Sequence, residues 1–263
     1  MLANLKRAFT VTELRNLFLL LSLIAPSIAL IPRLAIGSRC GPLPCIGLET
    51  RNENFDSVAP PALPEGWLAT NALGAPPLWV TSNNGVPTPP ANTSPNAAFI
   101  DDPAAVSDKR LDAPSVFFFE GFAPQLAFRQ NFNLEASDID PTIGFDGGVL
   151  ELSNDGGNSF QEVPASAFVE GGYNRTISTD RGSPIAGRQA WSGNSGGFIR
   201  TVVNLPAVQT QPVIVRWRMA SDNSGSGEGW RVDTVRITWC HGPPCTPKPL
   251  PTPRQRPTPA PRP

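Results

Sequence analysis

The feature that most constrains the fold of this chain is an alternation of apolar and polar side chains with a period of two residues. In residues 125–134 the large apolar side chains of Leu126, Phe128, Phe132 and Leu134 share one face, and residues 212–220 and 231–239 show the same alternation. Such an alternation is typical of β-strands that bury one face and expose the other. The sequence therefore predicts strands, and no helix, in these three segments.

Composition and turn signals extend the prediction to most of the chain. Further strands are predicted at residues 51–58, 77–82, 97–101, 115–119, 148–153 and 197–205. Between them lie loops such as Asn83-Asn84-Gly85 and Asp155-Gly156-Gly157, whose residues adopt the positive φ of tight turns. With 31 Pro and 23 Gly in 263 residues, few segments could sustain a helix. Many short half-buried strands predict an all-β protein with two antiparallel sheets packed face to face.

Residues 1–29 predict a targeting segment. Basic residues precede the apolar run Leu17–Ala25, and Ser27-Ile28-Ala29 provides the small side chains of a secretory cleavage site. In a second interpretation the segment around Phe9 and Glu13 resembles a type IV pilin leader, although Ala8 stands where Gly is usual. Both interpretations predict a secreted or cell-surface protein, with no stable transmembrane span after processing because the apolar run is short.

Four cysteines bracket the predicted β domain. A Cys- and Pro-rich lead-in (30–48) carries Cys40 and Cys45, and Cys240 and Cys245 follow the last predicted strand. In an exported chain this arrangement predicts two disulfides, paired either locally or across the two ends. In the tail (241–263) Pro occupies nearly every second position from residue 247 on, which predicts a disordered, extended spacer.

Charge and carboxylate placement predict a cation site. The whole chain has a net charge of −1; removing +2 for residues 1–29 and +4 for residues 246–263 leaves −7 for the part between. An acidic body argues against nucleic-acid binding and is compatible with divalent cations. By strict alternation Asp233 lies on the apolar face of its strand and Glu53 on the face of Phe55. A buried, unpaired carboxylate costs several kcal/mol, so each needs an Arg or a cation.

Acidic loops complete the prediction of a structural Ca²⁺ site. Asp101, Asp102 and Asp108 lie in a loop that could supply further oxygen ligands. The predicted ligands are Glu53, Asp101, Asp108 and Asp233, and pairing with Arg is the alternative. A second acidic loop contains Asp138, Asp140 and Asp146 but lacks EF-hand spacing, so a solvated turn is predicted there.

Catalysis is not predicted. Gly193-Asn194-Ser195-Gly196-Gly197 is similar to the run around the nucleophile of trypsin-like proteases, which needs a His base. The single histidine of the chain, His241, follows this serine, whereas in trypsin-like chains it precedes it. A hydrolase that uses a pair of the many carboxylates stays a minor alternative.

Several motifs resemble one family. They are Asn54-Phe55-Asp56-Ser57-Val58, Pro64-Glu65-Gly66-Trp67, Phe145–Gly157, Gly187–Gly193 and Gly229–Asp233. Together they are similar to the MAM-like, galactose-binding-like modules of bacterial secreted proteins, such as those accompanying immune inhibitor A-type metalloproteases. The resemblance covers residues 49–240 and implies an antiparallel jelly-roll β-sandwich, a lectin-like or adhesive role and often a structural calcium.

The predicted function is accordingly binding or adhesion, with a glycan or a surface protein as the partner. Exposed aromatic side chains are the usual platform for sugars. The candidates are the aromatic residues that turn signals surround, with core packing as the alternative role: Trp67, Trp79, Tyr173 and Trp191. A structural surface protein, or one associated with pili, is the alternative function.

Overall fold

The computed structural model describes residues 47–118, 124–206 and 212–241. These residues form sixteen strands and one short 3-10 turn at Ala165–Ala167. The strands are β1 (Gly47–Glu53), β2 (Leu68–Leu73), β3 (Val80–Ser82), β4 (Ala97–Ile100), β5 (Ser107–Asp112), β6 (Gln125–Leu134), β7 (Ile143–Gly144), β8 (Gly147–Ser153), β9 (Gln161–Glu162), β10 (Phe168–Glu170), β11 (Arg175–Ile177), β12 (Gln189–Ala190), β13 (Gly193–Asn194), β14 (Ile199–Asn204), β15 (Ile214–Ser221) and β16 (Gly229–His241).

The strands form a large sheet, a five-stranded sheet and a small third sheet. The large sheet has the order β10-β14-β6-β16-β4-β3, with β1 also paired to β16 and β13 to β6. The second has the order β2-β5-β15-β8-β9, and the third the order β12-β11-β7. All pairs of strands are antiparallel except β7 with β11. The predicted all-β, antiparallel sandwich is therefore confirmed.

The core lies between the apolar faces of the two larger sheets. Phe128 from β6 meets Trp217 from β15 edge to face, with ring centroids 5.4 Å apart, and meets Trp191 at 5.9 Å. All three side chains are buried. The alternation in β6 and β15 places these rings inside, so burial of apolar surface fixes the register of both strands.

Strand β5 shows that a buried strand can be strongly charged. Its sequence Ser-Asp-Lys-Arg-Leu-Asp did not predict a strand, yet it lies between β2 and β15. Asp112 forms a two-pronged ion pair with Arg216 of the neighbouring strand, at 2.6 and 2.8 Å. Lys109, which is 1% exposed, pairs with Asp101 at 2.6 Å. These pairings satisfy charges that would otherwise exclude the segment from the sheet.

Two sequence predictions about strands need correction. Residues 115–118 form no strand: Val116 makes a single bridge to Val213, and residue 119 lies outside the described residues. Asp233 does not share a face with Val235, because β16 contains a bulge between Asp233 and Arg236. The extra residue, Thr234, has a φ of 50°. This residue shifts the alternation by one: even-numbered residues of β16 face the core before the bulge, and odd-numbered residues face it after the bulge.

The long strand β16 pairs with two different strands along one of its edges. Residues Trp230–Val232 pair with β4, and Val235–His241 pair with β1. Asp233 and Thr234 lie in the interval between these partners, where the edge of β16 faces a loop instead of a strand. This interval forms the floor of a groove described below.

The predicted targeting segment, nearly all of the lead-in and nearly all of the tail lie outside the described residues. Cys240 in β16 is disulfide-bonded. Cys40, Cys45 and Cys245 also lie outside the described residues, so the pairing stays a prediction. In the part of the chain that is described, no helix is long and apolar enough to cross a membrane.

Candidate metal centre and binding groove

The four predicted calcium ligands lie at separate places in the fold. Glu53 accepts the backbone N–H of Phe55 at 2.7 Å, which caps the end of β1. Asp101 is paired with Lys109. Among the described residues, none of Glu53, Asp101, Asp108 and Asp233 belongs to a group of three carboxylates close enough to share an ion.

Asp233 is buried and satisfied by backbone donors. One of its oxygens accepts the N–H groups of Asn92 at 2.7 Å and Thr93 at 2.8 Å, and the other accepts the N–H of Thr234. Burial raises the pKa of Asp233 above its usual value and outweighs the opposing effect of these hydrogen bonds. The carboxylate therefore fastens the loop of Asn92 and Thr93 to the bulge of β16.

Asp108 is bridged by two guanidinium groups. Arg218 donates to both of its oxygens, at 2.8 and 2.9 Å, and Arg110 donates at 2.8 Å. Burial works to raise the pKa of Asp108, but the hydrogen bonds and charges of the two arginines outweigh it, and the pKa lies below the usual 3.8. The alternative given above, pairing with Arg, describes the observed contacts of this residue.

We predict that Asp108→Asn destabilises the domain at pH 7 by about 3 kcal/mol, because two partly buried guanidiniums lose their shared anion. The folded-state pKa is depressed, so the stabilisation is present above about pH 3.8 and is lost as the pH falls through the folded-state pKa. Urea unfolding of both proteins between pH 7 and pH 3 measures whether their free energies of unfolding become more similar as the pH falls. The change in stability on chelation should be the same in both proteins; its loss in the variant would make Asp108 a metal ligand.

A different group of carboxylates meets at one end of the sandwich. Oxygens of Glu135, Asp146 and Asp222 lie within 4.8 Å of one another. Asp102 lies beside Asp146, close enough for the two side chains to share a hydrogen bond when one is protonated. Glu135 directly follows β6, Asp222 directly follows β15, and Asp146 directly precedes β8. We call Asp102, Glu135, Asp146 and Asp222 the carboxylate cluster.

Each member of the carboxylate cluster has one oxygen that accepts backbone N–H groups or pairs with a guanidinium, and a second oxygen that has no such partner. Asp102 accepts the N–H groups of Glu135 and Gly227, at 3.0 and 2.7 Å. Asp146 accepts the N–H of Asp222, and Asp222 accepts that of Ser224. The second oxygen of every member is buried and without a hydrogen-bond partner in the structure, namely Asp102 Oδ1, Glu135 Oε2, Asp146 Oδ2 and Asp222 Oδ2.

The electrostatics of the carboxylate cluster are unfavourable without a further positive charge. Burial, followed by the charge of Asp102, raises the pKa of Asp146 to about 10. Burial also raises the pKa values of Asp102 and Glu135. Arg181 is the ion-pair partner of the cluster among the described residues, 3.8 Å from Glu135 and 42% exposed. One half-exposed guanidinium cannot balance four carboxylates.

The donor set fits a hard divalent cation. Ca²⁺ is bound by carboxylate and carbonyl oxygens at 2.3–2.6 Å, so two of its ligands lie no more than about 5 Å apart. The spacing of Glu135, Asp146 and Asp222 meets this limit. Gly225 packs against the Glu135 carboxylate so closely that a side chain at this position would collide with it, and it has a φ of +62°. The loop after β15 is thus shaped around the cluster.

The second acidic loop of the sequence analysis is divided by the fold. Asp138 and Asp140 are exposed, and Asp140 accepts the N–H and hydroxyl of Thr142 at 2.8 and 2.7 Å, as expected for a solvated turn. Asp146 is completely buried in the carboxylate cluster and so does not belong to a solvated turn. Sequence reasoning also missed Glu135, which directly follows a predicted strand, and Asp222, which lies two residues after the end of one.

The four predicted sugar-binding aromatics pack in or against the core. Trp79 and Trp191 are buried, and Trp67 and Tyr173 pack against the core cluster. Trp67 stacks on Trp217 at 5.7 Å, and the Tyr173 hydroxyl donates to the Leu150 carbonyl at 3.3 Å. The structure does not bring the four together on an open surface.

A groove of about 660 Å³ opens on the outer face of the large sheet, at the interval in the edge of β16. Eight of its twelve lining residues carry an amide, hydroxyl or guanidinium group, and Glu53 is the sole carboxylate among the lining residues: Asn52, Glu53, Asn54, Ser57, Thr93, Ala127, Phe128, Arg129, Arg200, Thr234, Val235 and Arg236. The size is that of a ligand-binding cleft.

One rim of the groove is anchored by a buried arginine. The Arg231 guanidinium is completely buried and donates to the backbone carbonyls of Asn84, Pro87 and Pro90, at 2.6–3.0 Å. Burial lowers its pKa to about 10. These bonds hold the loop that continues to Asn92 and Thr93, and Asp233 fastens its far end. The rim is therefore preformed.

Backbone strain is concentrated beside the groove. Within the described residues, two residues other than glycine have a positive φ, Phe55 at 61° and Thr234 at 50°. Thr234 lines the groove, and Phe55 follows the lining residue Asn54. For bulky and β-branched residues this conformation is unfavourable, and it persists where surrounding contacts enforce it. Such strain is most common at binding and active sites.

Comparison with known proteins gives no family. No protein-family model matches the chain, and no curated protein matches it, so the MAM-like membership stays a prediction. Among solved structures, the K3 cleaved adhesin domain of Lys-gingipain from Porphyromonas gingivalis W83 is 15% identical, with a TM-score of 0.42, over 73% of this chain and 99% of that one.

Two further solved structures illustrate the range of similar proteins. TmCBM61 in complex with β-1,4-galactotriose is 12% identical, with a TM-score of 0.39, over 70% of this chain and 97% of that one. The Stig cyclase Fisc from Fischerella sp. TAU is 14% identical, with a TM-score of 0.37, over 68% and 87%.

Proposed function

We propose that this domain is a non-catalytic binding module that holds a glycan in the groove on the outer face of its large sheet. The observation that carries the proposal is the groove itself, a preformed polar cleft with the strained residue Thr234 in its floor. The strain is explained if the bulge is maintained to present polar groups to a ligand.

The chemistry of the lining suits a polyhydroxylated ligand. Asn52 and Arg236 are exposed, and Arg236 donates to Asn52 at 3.0 Å, so the pair can exchange this bond for bonds to sugar hydroxyls. Thr93 and Thr234 add hydroxyl groups to the lining. A single carboxylate in the lining, Glu53, does not provide the acid and base pair that glycoside hydrolysis requires. Binding without turnover is what these residues support.

We further propose that the carboxylate cluster binds a structural Ca²⁺, outside the ligand groove. The ion would be held by Asp102, Glu135, Asp146 and Asp222, whose unpartnered oxygens it would satisfy. It would join the ends of β6 and β15, which belong to different sheets. Its role would be to fix the sandwich, because none of the four residues lines the groove.

A glycan array followed by titration calorimetry tests the function. We expect Asn52→Ala to weaken binding of the captured glycan about tenfold, since one exposed hydrogen-bonding group is lost, worth about 1.4 kcal/mol. Asn158→Ala is the matched control, because Asn158 is an equally exposed amide in the loop after β8. Equal affinity of the wild type and Asn52→Ala would place the site elsewhere. Self-association with no glycan binding would favour a structural surface protein.

A further inference from the structure

Three arginines occupy neighbouring positions on the outer face of the large sheet. Arg129 in β6 stands directly opposite Arg200 in β14, and Arg236 in β16 stands opposite Ala127, two residues before Arg129. Side chains directly opposite on antiparallel strands have Cβ atoms about 5 Å apart, and diagonal neighbours about 7–8 Å. All three line the groove.

The positive charge of these arginines is only partly balanced. The Arg129 side chain makes no hydrogen bond or ion pair with any described residue, although it is only partly exposed. Arg200 pairs with Glu170, but both side chains are nearly half exposed, so this pair is weak. Arg236 donates to the neutral amide of Asn52.

The acidic groups near the arginines are engaged elsewhere. Glu53 accepts the Phe55 N–H with one oxygen. Asp233 stands opposite Arg129 in the ladder, yet its oxygens accept N–H groups of residues 92, 93 and 234, and it forms no ion pair with any arginine of the described chain. Like charges directly opposite on a sheet are destabilising, so an arginine pair whose charge is only partly balanced carries a cost that a bound anion would reduce.

We propose that the ligand of this groove is an acidic polysaccharide, whose carboxylate or sulfate groups bind between Arg129, Arg200 and Arg236. This inference rests on the proposed function and names the class of its ligand. A planar guanidinium binds a carboxylate or a sulfate through two parallel hydrogen bonds, which selects for an anion. The amide and hydroxyl groups of Asn52, Thr93 and Thr234 then bind the sugar hydroxyls, which an acidic peptide would not offer.

Two matched pairs of short saccharides test the charge of the ligand. The first pair is a galacturonate trisaccharide and its methyl ester, in which each carboxylate has lost its charge and gained a methyl group. The second pair is a sulfated disaccharide and its desulfated counterpart. We expect the charged member of at least one pair to bind at least tenfold more tightly by calorimetry, and its affinity to fall as salt is raised from 50 to 500 mM.

Arginine variants show which residues cause the preference for a charged saccharide. Arg129→Gln should weaken binding of the charged member at least tenfold and so remove the preference for it, and Arg236→Gln should reduce the preference. Arg51→Gln is the control, because Arg51 is exposed on β1 but does not line the groove. Thermal melts confirm that each variant is folded.

The other outcomes of these experiments would contradict the acidic ligand, the proposed function or both. Equal binding of both members of each pair, with loss of binding in Asn52→Ala, would overturn the acidic ligand and leave the proposed function in place. No binding of any saccharide, charged or neutral, would overturn both. Binding of poly-glutamate as tightly as of the acidic saccharides would replace the polysaccharide by an acidic peptide. The pair that shows the preference distinguishes carboxylate from sulfate.

Discussion

Adding Ca²⁺ to the chelated protein should raise its melting temperature by about 5–10 °C, and the same addition to Asp146→Asn should raise it little. A ligand that binds only the folded state at 100 times its Kd stabilises by about 2.7 kcal/mol. For a domain of this size each kcal/mol corresponds to about 2–4 °C. Asp146 is the completely buried member of the carboxylate cluster, with its Oδ2 unpartnered, so its replacement removes a central ligand.

When no cation is present, Asp146→Asn should no longer be the less stable of the two proteins. Burial and the charge of Asp102 raise the pKa of Asp146 to about 10, so the side chain is protonated in the cation-free protein at neutral pH. An amide of the same shape donates to Asp102 as the protonated acid does, and it adds no charge to the cluster. In EDTA we therefore expect Asp146→Asn to be at least as stable as the wild type.

Asp138→Asn provides the control for this experiment. Asp138 belongs to the same loop but is exposed and outside the carboxylate cluster. Its variant should keep the full calcium-dependent shift, measured by differential scanning fluorimetry from micromolar to millimolar Ca²⁺. If the wild type melts at the same temperature in EDTA and in millimolar Ca²⁺, the cluster is held by a proton shared between Asp102 and Asp146, and the metal proposal is wrong.

Alternation predicts strands well where one face is apolar and fails where charges are paired across strands. The bounds predicted for β6 agree with the structure because all inward side chains of Gln125–Leu134 except the hydrogen-bonded Gln130 are apolar. Strand β5 was missed because the partners of Asp108 and Asp112 lie about a hundred residues away, on β15. Pairings at that sequence distance leave no local signal.

The face of Asp233 could not be predicted for a related reason. A strict period of two assumes an uninterrupted ladder, and the bulge at Thr234 inserts one residue. The bulge is held by Asn92 and Thr93, which contact Asp233 from 140 residues away. The prediction was that a buried carboxylate there needs partners, and in the structure backbone N–H groups fill this role.

The carboxylate cluster had a local signal that sequence reasoning did not use. Glu135 and Asp222 directly follow strands β6 and β15, and Asp146 directly precedes β8. Alternation had already located these strands. Acidic residues at strand termini on one end of a sandwich converge whatever the loops between them contain. Loop acidity led instead to Asp138 and Asp140, which the fold leaves in solvent.

Trp191→Ala should destabilise the domain by about 3–5 kcal/mol, the cost of removing a large buried aromatic side chain. Trp191 is 0% exposed, and its ring packs against those of Tyr173 at 4.8 Å, Phe168 at 5.5 Å and Trp230 at 5.7 Å. Its indole N–H donates to the Gly171 carbonyl at 2.9 Å, which the substitution would leave without this donor. Loop signals around a tryptophan therefore mark a core residue here.

The experiment separates a packing role from a role in sugar binding. In urea unfolding, Trp191→Ala should lower the midpoint with little change in slope, and Val169→Ala, at a residue 61% exposed, should change stability by less than about 0.5 kcal/mol. A sugar platform would behave in the opposite way, with affinity lost and the midpoint kept. Because glycan binding is assigned to the groove around Asn52, the Trp191→Ala molecules that remain folded in dilute urea should bind the glycan with the wild-type Kd.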